Sequence, residues 1–303
     1  MSRKNRRLAR QQRNARWLIV GGIVVIALAF GGWLWASSNS SSSAVQAISR
    51  LSTADFHSLA FSSTEPDTVF FGHHNGLMIS KDGGRSWRPT SLQNADAMAL
   101  AIAPANPQII YAAGHNVFFK STDGGGTWQS VTANLPGQDI HGFAVDPENA
   151  EVVYAHVVGF VGVFRSEDGG STWTALPAAM PASTFNLAVG ETGQTLYAAA
   201  GEAGLWRTTD GGETWAQLPN APGDGVIALA YNPANKRLFI TTLGNEARLH
   251  ASDDGGSIWT ALGPKGSLMA VASSLHNPNH LIAVDDKGRV YASQDGGLTW
   301  PGK

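Results

Sequence analysis

The sequence contains no cysteine, and charged residues make up only 15% of its 303 positions. The absence of cysteine excludes disulfides, thiolate metal sites, iron–sulfur clusters, cysteine nucleophiles and a lipidated bacterial N-terminus. Motifs of the P-loop, G-x-S-x-G and H-E-x-x-H types are also missing. Hydrophobic residues still make up 43% of the chain, which suffices for a large core and excludes global disorder.

Acidic residues are absent from the first sixteen positions, where seven of the 21 lysines and arginines lie. The rest of the chain therefore carries 14 basic residues against 23 acids. A surface that binds nucleic acid needs a basic face, so we expect no nucleic-acid partner for this acidic remainder.

An uncharged apolar segment follows the basic cluster, and tryptophans stand at both of its ends. Its length is close to the ~20 residues that span a bilayer as a helix, and the basic flank favours the cytoplasmic side. We predict a basic cytoplasmic tail (1–16), a transmembrane anchor (17–36), a Ser-rich linker (37–44) and an exported domain (45–303). A cleaved signal peptide is the alternative, because Val45-Gln46-Ala47 has a small-residue cleavage pattern, and the protein would then be secreted.

Six copies of an eight-residue motif dominate the exported part, and successive copies begin 41 to 45 residues apart. In each copy an Asp-Gly-Gly type sequence supplies the positive φ angles of a tight hairpin, and a tryptophan leads into the next strand. Short β-rich segments at this period predict an all-β, six-bladed β-propeller with four-stranded blades. The repeated aspartates and tryptophans are Asp82, Asp123, Asp168, Asp210, Asp254, Asp295, Trp87, Trp128, Trp173, Trp215, Trp259 and Trp300.

These six motifs resemble the Asp-box, or bacterial neuraminidase repeat (BNR), S-x-D-x-G-x-T-W, over about residues 55–300. That repeat occurs in sialidases, sortilin-type receptors and photosystem II assembly-factor-like proteins. The resemblance implies that each box is a structural hairpin between the third and fourth strands of a blade, away from the channel. The segment 72–77 also resembles exported Asp-box proteins labelled glycosyl hydrolases. The sialidase F/Y-R-I-P motif is absent, which argues against that activity.

The last blade lacks room for a fourth strand, because only three residues follow Trp300. Leu92 and Leu135 follow outer strands and stand four residues before the aspartates that open the next inner strands, and Leu51 occupies the same position. We therefore predict that residues 45–51 form the fourth strand of blade six and close the ring.

Histidines and methionines recur at matched places in several blades. The inner strands share a pattern that is seen in Asp55-Phe-His57-Ser-Leu-Ala-Phe61 and is counted from its aspartate. One set of these residues takes the third position of this inner-strand pattern, as His57 does, and the other lies near the end of the second strand, where His156 also falls. Both places meet at one mouth of a propeller channel, beside Asp55, Asp96 and Asp139. Imidazole with carboxylate suits zinc, and imidazole with thioether suits copper. The predicted ligands are His57, His74, His115, His141, Met98 and Met269.

Packing is the other interpretation of these residues, because Phe185 and Ile227 take the same third position in other blades. We predict a membrane-anchored extracytoplasmic propeller that binds a protein partner or a small ligand through its loop face. A metal-binding protein or metal-dependent enzyme at the mouth is one alternative, with zinc or copper as its ion. A glycan-binding or glycan-cleaving protein is the other. No catalytic residue and no further cofactor is predicted.

Overall fold

The structure is a computed structural model that describes residues 45–53, 55–160 and 162–301. The predicted tail (1–16), anchor (17–36) and linker (37–44) lie outside these residues. Within the described part, no helix has the length and apolar character needed to cross a membrane.

Twenty-four strands form six antiparallel four-stranded sheets in the described residues. The first strand is β1 (Ser49–Arg50). Blade one comprises β2 (Ser58–Phe61), β3 (Val69–His73), β4 (Gly76–Ser80) and β5 (Arg88–Gln93). Blade two comprises β6 (Ala99–Ile102), β7 (Ile110–Gly114), β8 (Val117–Ser121) and β9 (Gln129–Ser130). Blade three comprises β10 (Ile140–Val145), β11 (Val153–Val157), β12 (Phe164–Ser166) and β13 (Thr174–Ala175).

The second half of the ring repeats this plan. Blade four comprises β14 (Asn186–Val189), β15 (Leu196–Ala199), β16 (Leu205–Thr208) and β17 (Ala216–Gln217). Blade five comprises β18 (Val226–Asn232), β19 (Arg237–Thr242), β20 (Arg248–Ser252) and β21 (Thr260–Lys265). Blade six comprises β22 (Leu268–Ser273), β23 (Leu281–Asp285), β24 (Arg289–Ser293) and β1. The predicted all-β, six-bladed propeller is confirmed.

The first strand completes the last blade, as the sequence predicted. Ser49 in β1 pairs with Val290 in β24, and Val45 forms an isolated antiparallel bridge with Pro301. The strand β1 covers only Ser49–Arg50 and is therefore shorter than the predicted strand at 45–51. This pairing covers the outer edge of β24, so the ring is closed by strands from both ends of the described chain.

Five of the six boxes form the hairpins between the third and fourth strands of blades one to five, and the sixth box follows β24, the third strand of blade six. In the second box, the Ser121 hydroxyl donates to Asp123 Oδ1 at 2.8 Å and accepts a hydrogen bond from the Gly125 amide at 2.8 Å. Thr127 donates to the same carboxylate from its amide and from its hydroxyl. These bonds fix a tight turn. Because strands alternate in direction, the boxes lie at the opposite end of the blades from the start of the inner strands.

The core lies between the blades. Each of six clusters of buried apolar side chains draws its residues from two neighbouring blades. Tyr111 adds a polar link between blades two and three, because its hydroxyl donates to the carbonyl of Ala150 at 2.8 Å. Every blade is thus packed on both sides, and the ring presents its inner-strand starts at one end, which we call the mouth.

Candidate functional site

An aspartate and a histidine form a pair at the mouth in each of the first two blades. Asp55 precedes β2, and His74 follows β3 in the same blade; Asp96 and His115 occupy the equivalent places around β6 and β7. The His74 amide donates to the Asp55 carboxylate at 3.3 Å, and its ring Nδ1 contacts Asp55 Oδ2. The His115 amide donates to Asp96 Oδ2 at 3.2 Å, and its Nδ1 contacts the same oxygen. Two blades thus repeat one local arrangement.

Further contacts connect these pairs around the ring. His74 Nε2 lies 3.9 Å from Asp96 Oδ2, and His115 Nε2 lies 3.4 Å from Asp139 Oδ1 in blade three. At the ends of the series, His57 and His141 approach Asp55 and Asp139 at 3.7 and 3.1 Å. We call this series the His–Asp arc, and it consists of Asp55, His57, His74, Asp96, His115, Asp139 and His141.

The arc contains three overlapping groups of two histidines and one aspartate. In each group, one ligand atom from every residue lies within 4.8 Å of the others. The groups are Asp55–His57–His74, His74–Asp96–His115 and His115–Asp139–His141. The structure therefore brings together all four of the histidines that the sequence singled out, and it places them beside the three aspartates named with them.

The two ends of the arc differ from its middle in exposure. The side chains of His57 and His141 are largely buried, whereas those of His74 and His115 are 45% and 43% exposed. Burial lowers the pKa of both His57 and His141, and the carboxylates of Asp96 and Asp139 partly offset this effect. Burial thus favours the neutral form of both imidazoles.

A cavity of about 370 Å³ adjoins the arc at the centre of the mouth. All six blades contribute the third residue of their inner-strand pattern to its wall, so the positions aligned in the sequence meet in space. Met98 and Met269 lie here, on the cavity wall with His57 and His141. The apolar part of the wall consists of Phe56, Met98, Phe185, Ile227, Leu243 and Met269.

One wall residue is unusually exposed for an aromatic side chain. Phe185 is 45% exposed, and its ring stacks on that of His141 with centroids 6.2 Å apart. The sequence analysis placed Phe185 at the same inner-strand position as His57 and His141 but did not single it out as a functional residue. Leu243 was missed altogether, because it lies in a loop that carries no periodic signal.

His156 differs from its expected place at the mouth. It lies near the end of β11, but its side chain is fully buried, and neither ring nitrogen has a hydrogen-bond partner among the described residues. Burial, together with nearby His141, lowers its pKa to about 4. His156 therefore belongs to the interior of the ring rather than to the arc.

One known family accounts for the whole propeller. The chain matches the family model described as photosynthesis system II assembly factor YCF48 over residues 37–303. No curated protein sequence matches it significantly.

Several solved structures share the fold. The GH74 xyloglucanase from Xanthomonas campestris is 17% identical with a TM-score of 0.59, and the match covers 84% of this chain and 46% of that one. The GH74 enzyme from Niastella koreensis is 19% identical with a TM-score of 0.61, with coverages of 84% and 46%. This chain thus spans about half the length of both enzymes. A structure described as YCF48 bound to D1 peptide is 18% identical with a TM-score of 0.54, with coverages of 85% and 87%. At these identities the likeness shows the propeller fold alone.

Proposed function

Because this chain belongs to the photosynthesis system II assembly factor YCF48 family, we propose that it is a membrane-anchored, extracytoplasmic propeller that binds a segment of a partner protein at its mouth. A solved YCF48 propeller carries a bound D1 peptide, which supports a peptide as the kind of ligand. The basic cluster at 1–16 and the apolar segment at 17–36 support the anchor and the orientation.

The cavity at the mouth is the observation that carries the proposal. Its volume of about 370 Å³ falls within the range of about 300–1,000 Å³ typical of ligand pockets. Its wall is mostly apolar, and Phe185 remains 45% exposed. A large apolar side chain inserted here would cover that ring and remove apolar surface from water.

The arc beside the cavity sets the chemistry of the flanking residues. Asp55 and Asp139 lie beside His57 and His141, which line the cavity, and Asp96 lies between them in the arc. Backbone amides and cationic side chains of a bound segment complement carboxylates, whereas acidic residues are repelled. The favoured ligand is therefore an extended segment with one large apolar residue and basic or neutral neighbours.

Selection from a phage-displayed random peptide library against the purified full-length protein tests this function. The affinity of a selected, fluorescently labelled peptide is then measured by anisotropy for the wild type, Phe185→Ser and Leu298→Ser. Leu298 is the matched control, because it is 71% exposed but lies in the last box at the opposite end of the ring. We expect at least a tenfold loss with Phe185→Ser and no change with Leu298→Ser.

Two results would overturn this function. One is peptide binding that is insensitive to Phe185→Ser. The other is a failure to select peptides combined with binding of xyloglucan oligosaccharides that Phe185→Ser abolishes, which would establish a glycan ligand instead.

The proposed membrane topology can be tested separately by cysteine labelling, because the chain has no cysteine of its own that would also react. Single-cysteine variants Ser2→Cys and Ser40→Cys are treated with a membrane-impermeant maleimide on intact cells. We expect labelling of Ser40→Cys alone, with the label remaining on the full-length membrane-bound chain. Labelling of Ser2→Cys, or a shortened chain in the medium, would refute the anchor.

A further inference from the structure

Two imidazole nitrogens approach one carboxylate oxygen at the blade-three end of the arc. His115 Nε2 lies 3.4 Å from Asp139 Oδ1, and His141 Nε2 lies 3.1 Å from the same atom. The three residues come from different places in the fold: His115 follows β7 in blade two, Asp139 precedes β10, and His141 lies within β10.

These separations agree with the edges of a tetrahedral metal site. Zinc binds imidazole nitrogen and carboxylate oxygen at about 2.0–2.2 Å, so two ligand atoms on one tetrahedral ion lie about 3.3 Å apart. Both of the distances to Asp139 Oδ1 are within a few tenths of an ångström of that value.

Hydrogen bonding does not account for the same contacts. Asp139 Oδ1 and His141 Nε2 are both buried, and neither has a hydrogen-bond partner of acceptable geometry among residues 45–53, 55–160 and 162–301. Buried polar atoms in proteins are nearly always satisfied, so this pair requires an explanation. A cation between the three residues would satisfy both atoms at once.

Asp96 provides the hydrogen-bond acceptor that metal-binding histidines usually have at the ring nitrogen that does not bind the metal. Its Oδ2 contacts Nδ1 of His115 and accepts the His115 amide, so the Nδ1–H points at Asp96. The lone pair of His115 is then on Nε2, the atom that faces Asp139. This is the carboxylate–histidine–metal arrangement, in which the carboxylate fixes the tautomer and the ring orientation.

The other two groups of the arc are less suitable. His57 Nε2 lies 3.7 Å from Asp55 Oδ2, and His74 Nε2 lies 3.9 Å from Asp96 Oδ2. In both groups the remaining histidine offers an Nδ1 that an aspartate already engages.

We propose that His115, Asp139 and His141 bind one divalent transition-metal ion of the zinc class, with Asp96 as the positioning residue. Three protein ligands leave one coordination position for water or for a group of a bound partner. His141 also lines the cavity, so an occupant of the cavity lies next to the ion. The metal site does not depend on peptide binding, because its ligands are complete without Phe185.

Titration of the purified full-length protein with Zn²⁺, in competition with a chromophoric chelator, tests the site. Co²⁺ is added in a parallel experiment, because its visible absorption reports tetrahedral coordination. The variants are His141→Leu, Asp96→Asn and, as the matched control, His57→Leu, which alters the equivalent inner-strand position in blade one. Circular dichroism and thermal unfolding verify that each variant is folded.

We expect one Zn²⁺ per chain and a tetrahedral Co²⁺ spectrum. His141→Leu should weaken binding at least 100-fold, while His57→Leu should leave it unchanged. Asp96→Asn should weaken binding about 10- to 100-fold and retain the tetrahedral spectrum at saturation, as a positioning role requires. The site is refuted if folded wild type binds no Zn²⁺, or if His57→Leu weakens binding as much as His141→Leu does. Because the peptide assay uses Phe185→Ser, either proposal can fail while the other stands.

Discussion

The amide of Ile48 donates a hydrogen bond of 2.8 Å to the carbonyl of Val290, which joins the first described strand to the last blade. The Ile48 side chain is buried in the cluster between blades six and one, together with Val290. One residue thus contributes both a hydrogen bond and apolar packing to the closure of the ring.

Shortening this side chain should weaken the closure. Ile48→Ala is expected to lower the free energy of unfolding by about 2–4 kcal/mol, because it opens a cavity between two blades. Val45→Ala, at a position that is 48% exposed, should cost less than about 1 kcal/mol. Urea unfolding, monitored by tryptophan fluorescence, measures the free energy of unfolding of both variants. Equal effects would show that closure does not depend on Ile48.

The tyrosine hydroxyl between blades two and three should have a measurable effect. Tyr111→Phe removes the donor to the Ala150 carbonyl and is expected to cost about 1 kcal/mol. Tyr197 is similarly buried but makes no such hydrogen bond within the described chain, so Tyr197→Phe is the matched control and should cost less. Denaturant unfolding curves compare the two variants by their midpoints, provided that the dependence of the unfolding free energy on denaturant concentration is unchanged. A larger loss of stability in Tyr197→Phe than in Tyr111→Phe would contradict the role given to the Tyr111 hydroxyl.

A box glycine should tolerate substitution far less well than a loop glycine. Gly170 has φ of 91°, and a Cβ there would lie 2.2 Å from the ring of Phe118. Gly159 has φ of 83°, but a Cβ at that position would have no atom within 4 Å. Gly159→Ala should therefore cost about 1 kcal/mol from backbone strain alone, and Gly170→Ala should cost clearly more. Thermal unfolding measures the difference in stability between the two variants. Equal losses would show that the box does not pack tightly against Phe118.

Acid should destabilise the ring through its boxes. The amide and hydroxyl of Thr127 donate to Asp123 at 2.8 and 2.7 Å, and these bonds lower its pKa from 3.8 to about 2. Thr172 lowers the pKa of Asp168 to about 2 in the same way. The carboxyl groups of Asp123 and Asp168 therefore bind protons more readily in the unfolded chain than in the folded one. The stabilisation that their ionised forms provide is complete above about pH 5 and is lost as the pH falls towards 2.

Unfolding free energies between pH 7 and 2 measure that loss. Asp123→Asn should lower stability at pH 7 and reduce the decrease between pH 5 and 2. Asp286→Asn, at an exposed loop residue outside the boxes, is the control and should leave the acid dependence as in the wild type. An unchanged acid dependence in Asp123→Asn would contradict the role given to the box carboxylate.

The blades could be predicted because their signals are local. Glycines such as Gly169 and Gly170 at positive φ mark each box hairpin, and the regular spacing of the boxes determines the number of blades. The closure followed from the register of Leu51, whose side chain is buried in the cluster between blades six and one. The extent of the outer strands was not predictable, since β9, β13 and β17 pair over only two residues at the edges of their sheets.

The site was predictable in its membership but not in its geometry. Register placed His57 with His141 and His74 with His115, and the structure brings all four together. His156 pairs with Gly142 inside blade three, at the place that Gly72 takes opposite Ser58 in blade one. It therefore lies two residues before the position equivalent to His74, and its side chain is buried. The approach of two nitrogens to Asp139 depends on side-chain rotamers, which a linear sequence does not specify.

Closure by the first strand also fixes an order of events during synthesis. β1 is made before any blade, yet its partner β24 belongs to the last repeat, so the earliest strand has no sheet to join until nearly the whole domain has been translated. Pairing at such a sequence separation is slow, and an unpaired strand edge on the growing ring is a site for aggregation. Blades one to five can form their hairpins beforehand, which makes the capture of β1 the step that commits the chain to a single closed ring.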